Sequence, residues 1–161
     1  MNIPCENICN YRHKYATIDD LDKLLNFFKR QPQSSFTYFK PHEFNKPTIE
    51  KLIRNRSFLA YVIYDEDEII GYYFLRSYCI GKAFLGKLVD KKYQGKGIGK
   101  DICFWSMETS LKLGLRMFET ISRKNLSSLY CTQKVLDTKI IKELPNDYLY
   151  IEDLPKGNYN A

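Results

Sequence analysis

The residues of this chain best suited to chemistry lie in one glycine-rich turn, Gln94-Gly95-Lys96-Gly97-Ile98-Gly99-Lys100. Glycine lets a backbone turn tightly and approach a phosphate with no Cβ in the way. A strand that runs into such a turn and on into a helix makes an anion site from unpaired N–H groups and the helix dipole. The lysines gather there as well. From Lys82 to Lys100 stand Lys82, Lys87, Lys91, Lys92, Lys96 and Lys100 against Asp90, six charges less one, in a chain whose net charge is +6. So focused a potential attracts phosphates, whether of nucleic acid, of membrane lipid or of a nucleotide-bearing ligand.

Two phosphate-binding schemes fail on spacing. A Walker A loop needs G-x-x-x-x-G-K-S/T, whereas Gly95 and Gly99 are one residue too close and Asp101 stands where the Mg²⁺-binding hydroxyl belongs. A dinucleotide loop needs G-x-G-x-x-G; here the third glycine is misplaced and the turn follows a hairpin in mid-chain.

The surrounding pattern supplies the elements that must hold this turn. Thr17 and Asp20 form a capping-box pair, and Leu21, Leu24, Leu25 and Phe28 follow at helical spacing, predicting a helix over about 19–29. Ile49, Leu52 and Ile53 predict a second helix ending near Asn55. Residues 58–64 and 69–75 are aromatic and β-branched around the acidic turn Asp65-Glu66-Asp67-Glu68, a hairpin with a solvated tip. A strand at about 83–89 completes the meander. A helix then runs to about Leu113, its buried stripe read as Cys103, Phe104, Met107 and Leu111, with Gly114 as C-cap. A strand at 115–121, a helix at 126–134 and a strand at 148–151 end the series. This order predicts an α/β (α+β) fold of one domain over residues 1–161, with helices on both faces of a mixed sheet.

The third scheme fits. Gln94-x-x-Gly97-x-Gly99 resembles the Gln/Arg-x-x-Gly-x-Gly/Ala pyrophosphate loop of the GNAT family of N-acetyltransferases, and the whole stretch from Leu88 to Lys100 is similar to that family's strand–loop–helix core. Asn125-Leu126-Ser127-Ser128-Leu129-Tyr130 is similar to the family's Asn-led helix after the fifth strand. The resemblance implies a mainly antiparallel central sheet with one splayed parallel strand pair, and acetyl-CoA as co-substrate between those strands. It implies that backbone at Leu88 and Val89 pairs with the pantetheine arm. The N–H groups of Gln94, Gly95, Lys96, Gly97, Ile98, Gly99 and Lys100 would cradle the diphosphate, and Asn125 and Ser128 would flank the arm. A bulge in the fourth strand, near Gly86 and Lys87, would turn N–H groups toward the thioester carbonyl.

The same resemblance makes Tyr130 a general acid for the departing thiolate, whose intrinsic pKa is about 8.5. The attacking amine is protonated at neutral pH and must lose a proton, yet the strand at 83–89 carries no carboxylate. Glu119 on the next strand, His42 between the first two helices, or a water chain are the candidates for that step. Cys131 reads as a small packed thiol.

Composition bounds the alternatives. Hydrophobic residues make up 44% and charged residues 27% of 161, a globular balance. No apolar run nears the ~18 residues of a membrane span, and the first ten residues have no signal core, so a cytoplasmic protein is expected. The five cysteines include no CxxC pair, and Cys5, Cys9 and His13, four apart, lack a fourth ligand, so reduced thiols and no metal are expected. A nucleic-acid binder would spread its basic residues over a face instead of gathering them at one turn. The reading is therefore an acetyl-CoA-dependent N-acetyltransferase acting on a small primary amine, with no nucleic-acid or membrane partner and a homodimer left open. An anionic acceptor such as a nucleotide-linked amino sugar suits the basic charge. A non-catalytic acyl-CoA binder is the alternative.

Overall fold

The computed structural model describes residues 11–157. Its elements are β1 (Arg12–Tyr15), α1 (Leu21–Arg30), α2 (Lys46–Arg54), β2 (Phe58–Asp65), β3 (Glu68–Tyr78), β4 (Lys82–Val89), α3 (Ile98–Lys112), β5 (Arg116–Ser122), α4 (Leu126–Val135), β6 (Leu136–Leu144) and β7 (Tyr148–Pro155). One seven-stranded sheet runs β1-β2-β3-β4-β5-β7-β6, antiparallel throughout except for the parallel pair β4–β5.

The core has two sides because β3 is buried on both faces, as an apolar run in a central strand should be. On one face Tyr72, Phe74 and Leu88 pack under Leu24, Phe27 and Phe28 of α1 and Ile49 of α2. On the other, Tyr73, Leu75 and Leu85 pack under Ile98, Ile102, Cys103 and Met107 of α3, while Leu129 of α4 covers Ile121, Leu149 and Ile151. The two faces alternate along each strand, so one residue of offset decides which helix pair a side chain meets.

The local chemistry explains the boundaries. The Thr17–Asp20 capping box is present, and Asp20 also accepts from Lys14 Nζ (2.9 Å) and Tyr64 Oη (2.6 Å), tying the start of α1 to β1 and β2. Asn45 caps α2 by accepting from Thr48 N–H at 2.9 Å. Gly114 ends α3 in the left-handed region at φ +66°.

Three sequence-based expectations need correction. The buried stripe of α3 is Ile98, Ile102, Cys103, Ser106, Met107 and Ser110; Phe104 is half-buried and Leu111 is 55% exposed. β1 went unpredicted because its residues are mostly polar and are held by pairing with β2, with the His13 ring stacked 4.1 Å from Trp105. That strand also separates His13 from any helix shared with Cys5 and Cys9, which lie outside the described residues. β6 went unpredicted because Leu136 is its one buried residue; as an edge strand it is lysine-rich and held by β7.

Candidate active site

The parallel pair opens almost as soon as it forms. Lys82, Ala83 and Phe84 face Arg116, Met117 and Phe118, and there the pairing stops, although β4 continues to Val89 and β5 to Ser122. A cleft results, with one edge of β4 as its wall. The bond from Asp90 N–H to the Ile70 carbonyl (2.8 Å) fixes which backbone groups face it. In an antiparallel ladder bonded pairs alternate, so Phe84, Gly86 and Leu88 bond β3, and Leu85, Lys87 and Val89 present their N–H and C=O groups to the cleft. Of the two residues expected to meet the arm, Val89 is therefore on the open edge and Leu88 is not. The expected bulge is absent: the β3–β4 register runs unbroken from Gly71↔Val89 to Tyr78↔Lys82. Gly86 serves packing, since a Cβ there would lie 2.3 Å from the Phe74 ring.

The glycine-rich turn follows the mouth of this cleft. Gly95 (φ +81°) and Gly97 (φ +90°) adopt a conformation that other residues resist, and the space their missing Cβ atoms would fill is open. Gly97 is the N-cap of α3; its carbonyl accepts from the N–H groups of Lys100 and Asp101, both at 3.1 Å. The first-turn N–H groups of Ile98 and Gly99 have no helical carbonyl to meet. Open space beside Gly95 and Gly97, backbone donors without a helical acceptor and a helix N-terminus fit a diphosphate.

The turn is anchored from behind. Asp90, 4% exposed, accepts from Arg30 Nε (3.1 Å), Gln31 Nε2 (2.9 Å) and its own turn's Lys92 N–H (2.9 Å), while Gln31 Oε1 accepts from Lys91 N–H at 3.0 Å. Tyr93 donates to Asp65 at 2.6 Å, and that bond pushes its phenol up to about 12. Gln94 donates through Nε2 to the Val89 carbonyl at 3.3 Å, so its side chain braces the turn.

α4 forms the far wall. Asn125 is its N-cap and accepts from Ser128 N–H at 3.3 Å, so both residues set where the helix starts. Cys131 Sγ sits 3.4 Å from where a Gly99 Cβ would be, which brings α4 against the turn. Tyr130 lies at the rim, 57% exposed, its ring beneath the ammonium groups of Lys100 (5.7 Å) and Lys134 (5.2 Å).

Glu119 is no surface residue. At 3% exposure it accepts from Lys87 Nζ at 2.8 Å and from Thr132 Oγ at 3.0 Å, and Lys87 also donates to Thr132 at 3.0 Å. Asp153 of β7 faces the same group and has no hydrogen-bond partner on either oxygen. Burial, then Glu119, raises its carboxyl to about 9. Burial pulls the Lys87 ammonium down, but Cys103, Glu119 and Asp153 outweigh it and hold Lys87 well above the usual lysine range. Cys103 is itself raised to about 11, chiefly by burial. One of the six lysines of the basic window is thus neutralised by Glu119, so the cluster at the turn is less positive than the sequence suggests. The meeting of the Lys87 side chain with Thr132 and Asp153 is not legible in the sequence because it joins β4, α4 and β7. A lysine inside an otherwise apolar strand was the available signal.

His42 has both ring nitrogens engaged. The Glu43 carbonyl at 2.9 Å can only accept, so Nδ1 carries the proton, and Nε2 takes the Tyr72 hydroxyl at 3.1 Å. Burial among Phe44, Phe58, Tyr72 and Phe74 lowers its pKa and keeps it neutral, but its lone pair is occupied.

The opened cleft, the glycine turn and the element order point one way. The chain belongs to the acetyltransferase (GNAT) family, whose model matches residues 20–136. It is similar in fold to the GNAT domain of PAT from S. lividans (TM-score 0.76, 15% identity, 89% of this chain and 90% of that one). PaiA N-acetyltransferase from Thermoplasma acidophilum, solved in complex with coenzyme A, gives 0.74 at 15% identity over 92% of this chain and 100% of that one. Spermidine N-acetyltransferase from Vibrio cholerae, in complex with CoA and spermine, gives 0.67 at 16% over 89% and 92%. No curated protein matches the sequence. Among the described residues no helix is long and apolar enough to cross a membrane.

Proposed function

We propose that the chain is one catalytic domain, an N-acetyltransferase that moves an acetyl group from acetyl-CoA to a small primary amine. The observation that carries this reading is the cleft itself: a β4 edge that β5 no longer pairs beyond Phe84, running into an open glycine turn at a helix N-terminus. The N–H groups of Ile98 and Gly99 would hold the diphosphate, with Lys96 and Lys100 beside it. Lys87 and Val89 would pair with the pantetheine arm, and Asn125 and Ser128 would border it. Acetyl-CoA supplies the activated acyl carbon. The protein's part is to align that carbon with the amine and exclude water.

The acceptor side lies on the opposite face, under α1 and α2. There Arg76, Lys82 and Arg116 surround Phe58 and Phe118, with Arg76 5.3 Å from the Phe58 ring and Lys82 4.9 Å from the Phe118 ring. Glu152, the carboxylate beside them, is engaged by Arg116 through two bonds of 2.8 Å. Cations whose neighbouring carboxylate is already paired suit an anionic acceptor, such as a nucleotide-linked amino sugar. A polyamine would meet repulsion there. With His42 and Glu119 both engaged, the amine's proton leaves through water.

Titration calorimetry tests the cofactor half of this reading. Acetyl-CoA should give saturable heat with one site, weakened at least about tenfold in Gly97→Val, where a β-branched residue meets φ +90°. Absence of binding to the unaltered protein overturns it.

A further inference from the structure

Lys87 is a buried ammonium in the wall of the cleft that the reading above leaves without a chemical task. Its side chain is 10% exposed and that of Glu119 4%. An ion pair so placed gains no clear stability over apolar packing. Lysine offers three N–H donors. Glu119 takes one at 2.8 Å and Thr132 a second at 3.0 Å, and those two contacts set the direction of the third.

We propose that Lys87 is the charge-stabilising residue for the departing thiolate, its ammonium positioned by Glu119 and Thr132 in the space between β4 and β5. This rests on the acetyl-CoA reading. Three observations carry it. Lys87 stands three residues past Phe84, where pairing with β5 ends, so its side chain bridges strands that have already separated. Thr132, which takes the second N–H, is next to Cys131, whose Sγ packs toward Gly99, so the helix that holds the ammonium also borders the glycine turn. Glu119 is the carboxylate that bonds the ammonium, while neither oxygen of the buried Asp153 reaches it.

The group acts as a fixed charge and not as an acid. Because its neighbours hold it cationic, it does not surrender a proton to a thiolate whose own pKa is about 8.5. In the step, the amine lone pair forms the C–N bond and the C–S bond breaks with its electron pair going to sulfur. The amine proton passes to water, and the new sulfur anion meets the Lys87 N–H. Preorganised charge of this kind costs no reorganisation as the reaction proceeds.

The test needs no acceptor. Calorimetric affinities for CoA, which has the free thiol, and for acetyl-CoA, which has none, are compared from pH 6 to pH 9. If Lys87 favours the thiolate, the ratio of CoA to acetyl-CoA affinity rises with pH, by roughly tenfold for each unit by which the bound thiol's pKa is lowered. The rise should vanish in Lys87→Met. Because that change strands Glu119, the neutral pair Lys87→Met/Glu119→Met serves as the second variant, and Thr132→Val should reduce the rise. A ratio that is flat in the unaltered protein, or that rises equally in the variants, overturns the proposal. Failure of acetyl-CoA to bind at any pH shows instead that the underlying reading is wrong, and this one falls with it.

Discussion

Lys87 Nζ and Glu119 Oε2 meet 2.8 Å apart across the gap that opens between β4 and β5. The ion pair spans the one parallel junction of the sheet just where the ladder no longer joins the strands. Removing one partner leaves a buried charge without compensation, so Glu119→Gln should cost about 3–5 kcal/mol in urea unfolding. Lys87→Met/Glu119→Met should recover most of that loss, because both charges leave together. A cost below about 1 kcal/mol for the single change would mean that water reaches the pair.

Asp153 should make stability fall as pH rises. Its carboxyl is raised from 3.8 to about 9 in the folded chain, so between those values the native state holds a proton that the unfolded state has lost. Stability is then full below about pH 4 as far as this group is concerned and declines through neutral toward pH 9. Asp153→Asn removes the titration, and its thermal midpoint should gain on the unaltered protein steadily from pH 5 to pH 9. A constant difference across that range would mean that Asp153 is ionised throughout.

The histidines act in the other direction. Burial depresses both His13 and His42, so as pH falls below 6.5 the unfolded chain takes up protons that the folded chain refuses. Their contribution is complete above that value and is lost below it. Replacing both with glutamine should flatten the acid side of the thermal midpoint curve between pH 6.5 and pH 4.5.

Tyr130 stands at the rim of the groove, 57% exposed between Lys100 and Lys134. Tyr130→Phe should change turnover by less than about tenfold, whereas loss of a general acid costs ~10²–10⁴. A drop of that larger size would return the acid role to Tyr130.

The order of elements was legible because each predicted helix and strand has its own signal. The capping box precedes α1, the acidic turn divides β2 from β3, and Gly114 closes α3. The glycine turn was legible for the same reason: positive φ at Gly95 and Gly97 is a local demand that leaves a mark in the sequence. β1 and β6 were not, since Arg12 and Lys139 sit in strands only because a neighbouring strand pairs with them. Glu119 reads as a surface residue along its own strand and proves buried because Lys87 and Thr132 arrive from elsewhere. The fourth-strand bulge shows the converse: resemblance implied it, but the unbroken β3–β4 register opens the cleft by the departure of β5 alone.

Amine-dependent release of free thiol from acetyl-CoA tests the central claim most directly. Over a panel of polyamines, lysine peptides, aminoglycosides and nucleotide-linked amino sugars, at least one amine should release thiol in stoichiometric step with its own acetylation, and the anionic acceptors should lead. Acetyl-CoA that binds but yields no thiol with any amine would contradict the account and leave an acyl-CoA-binding module.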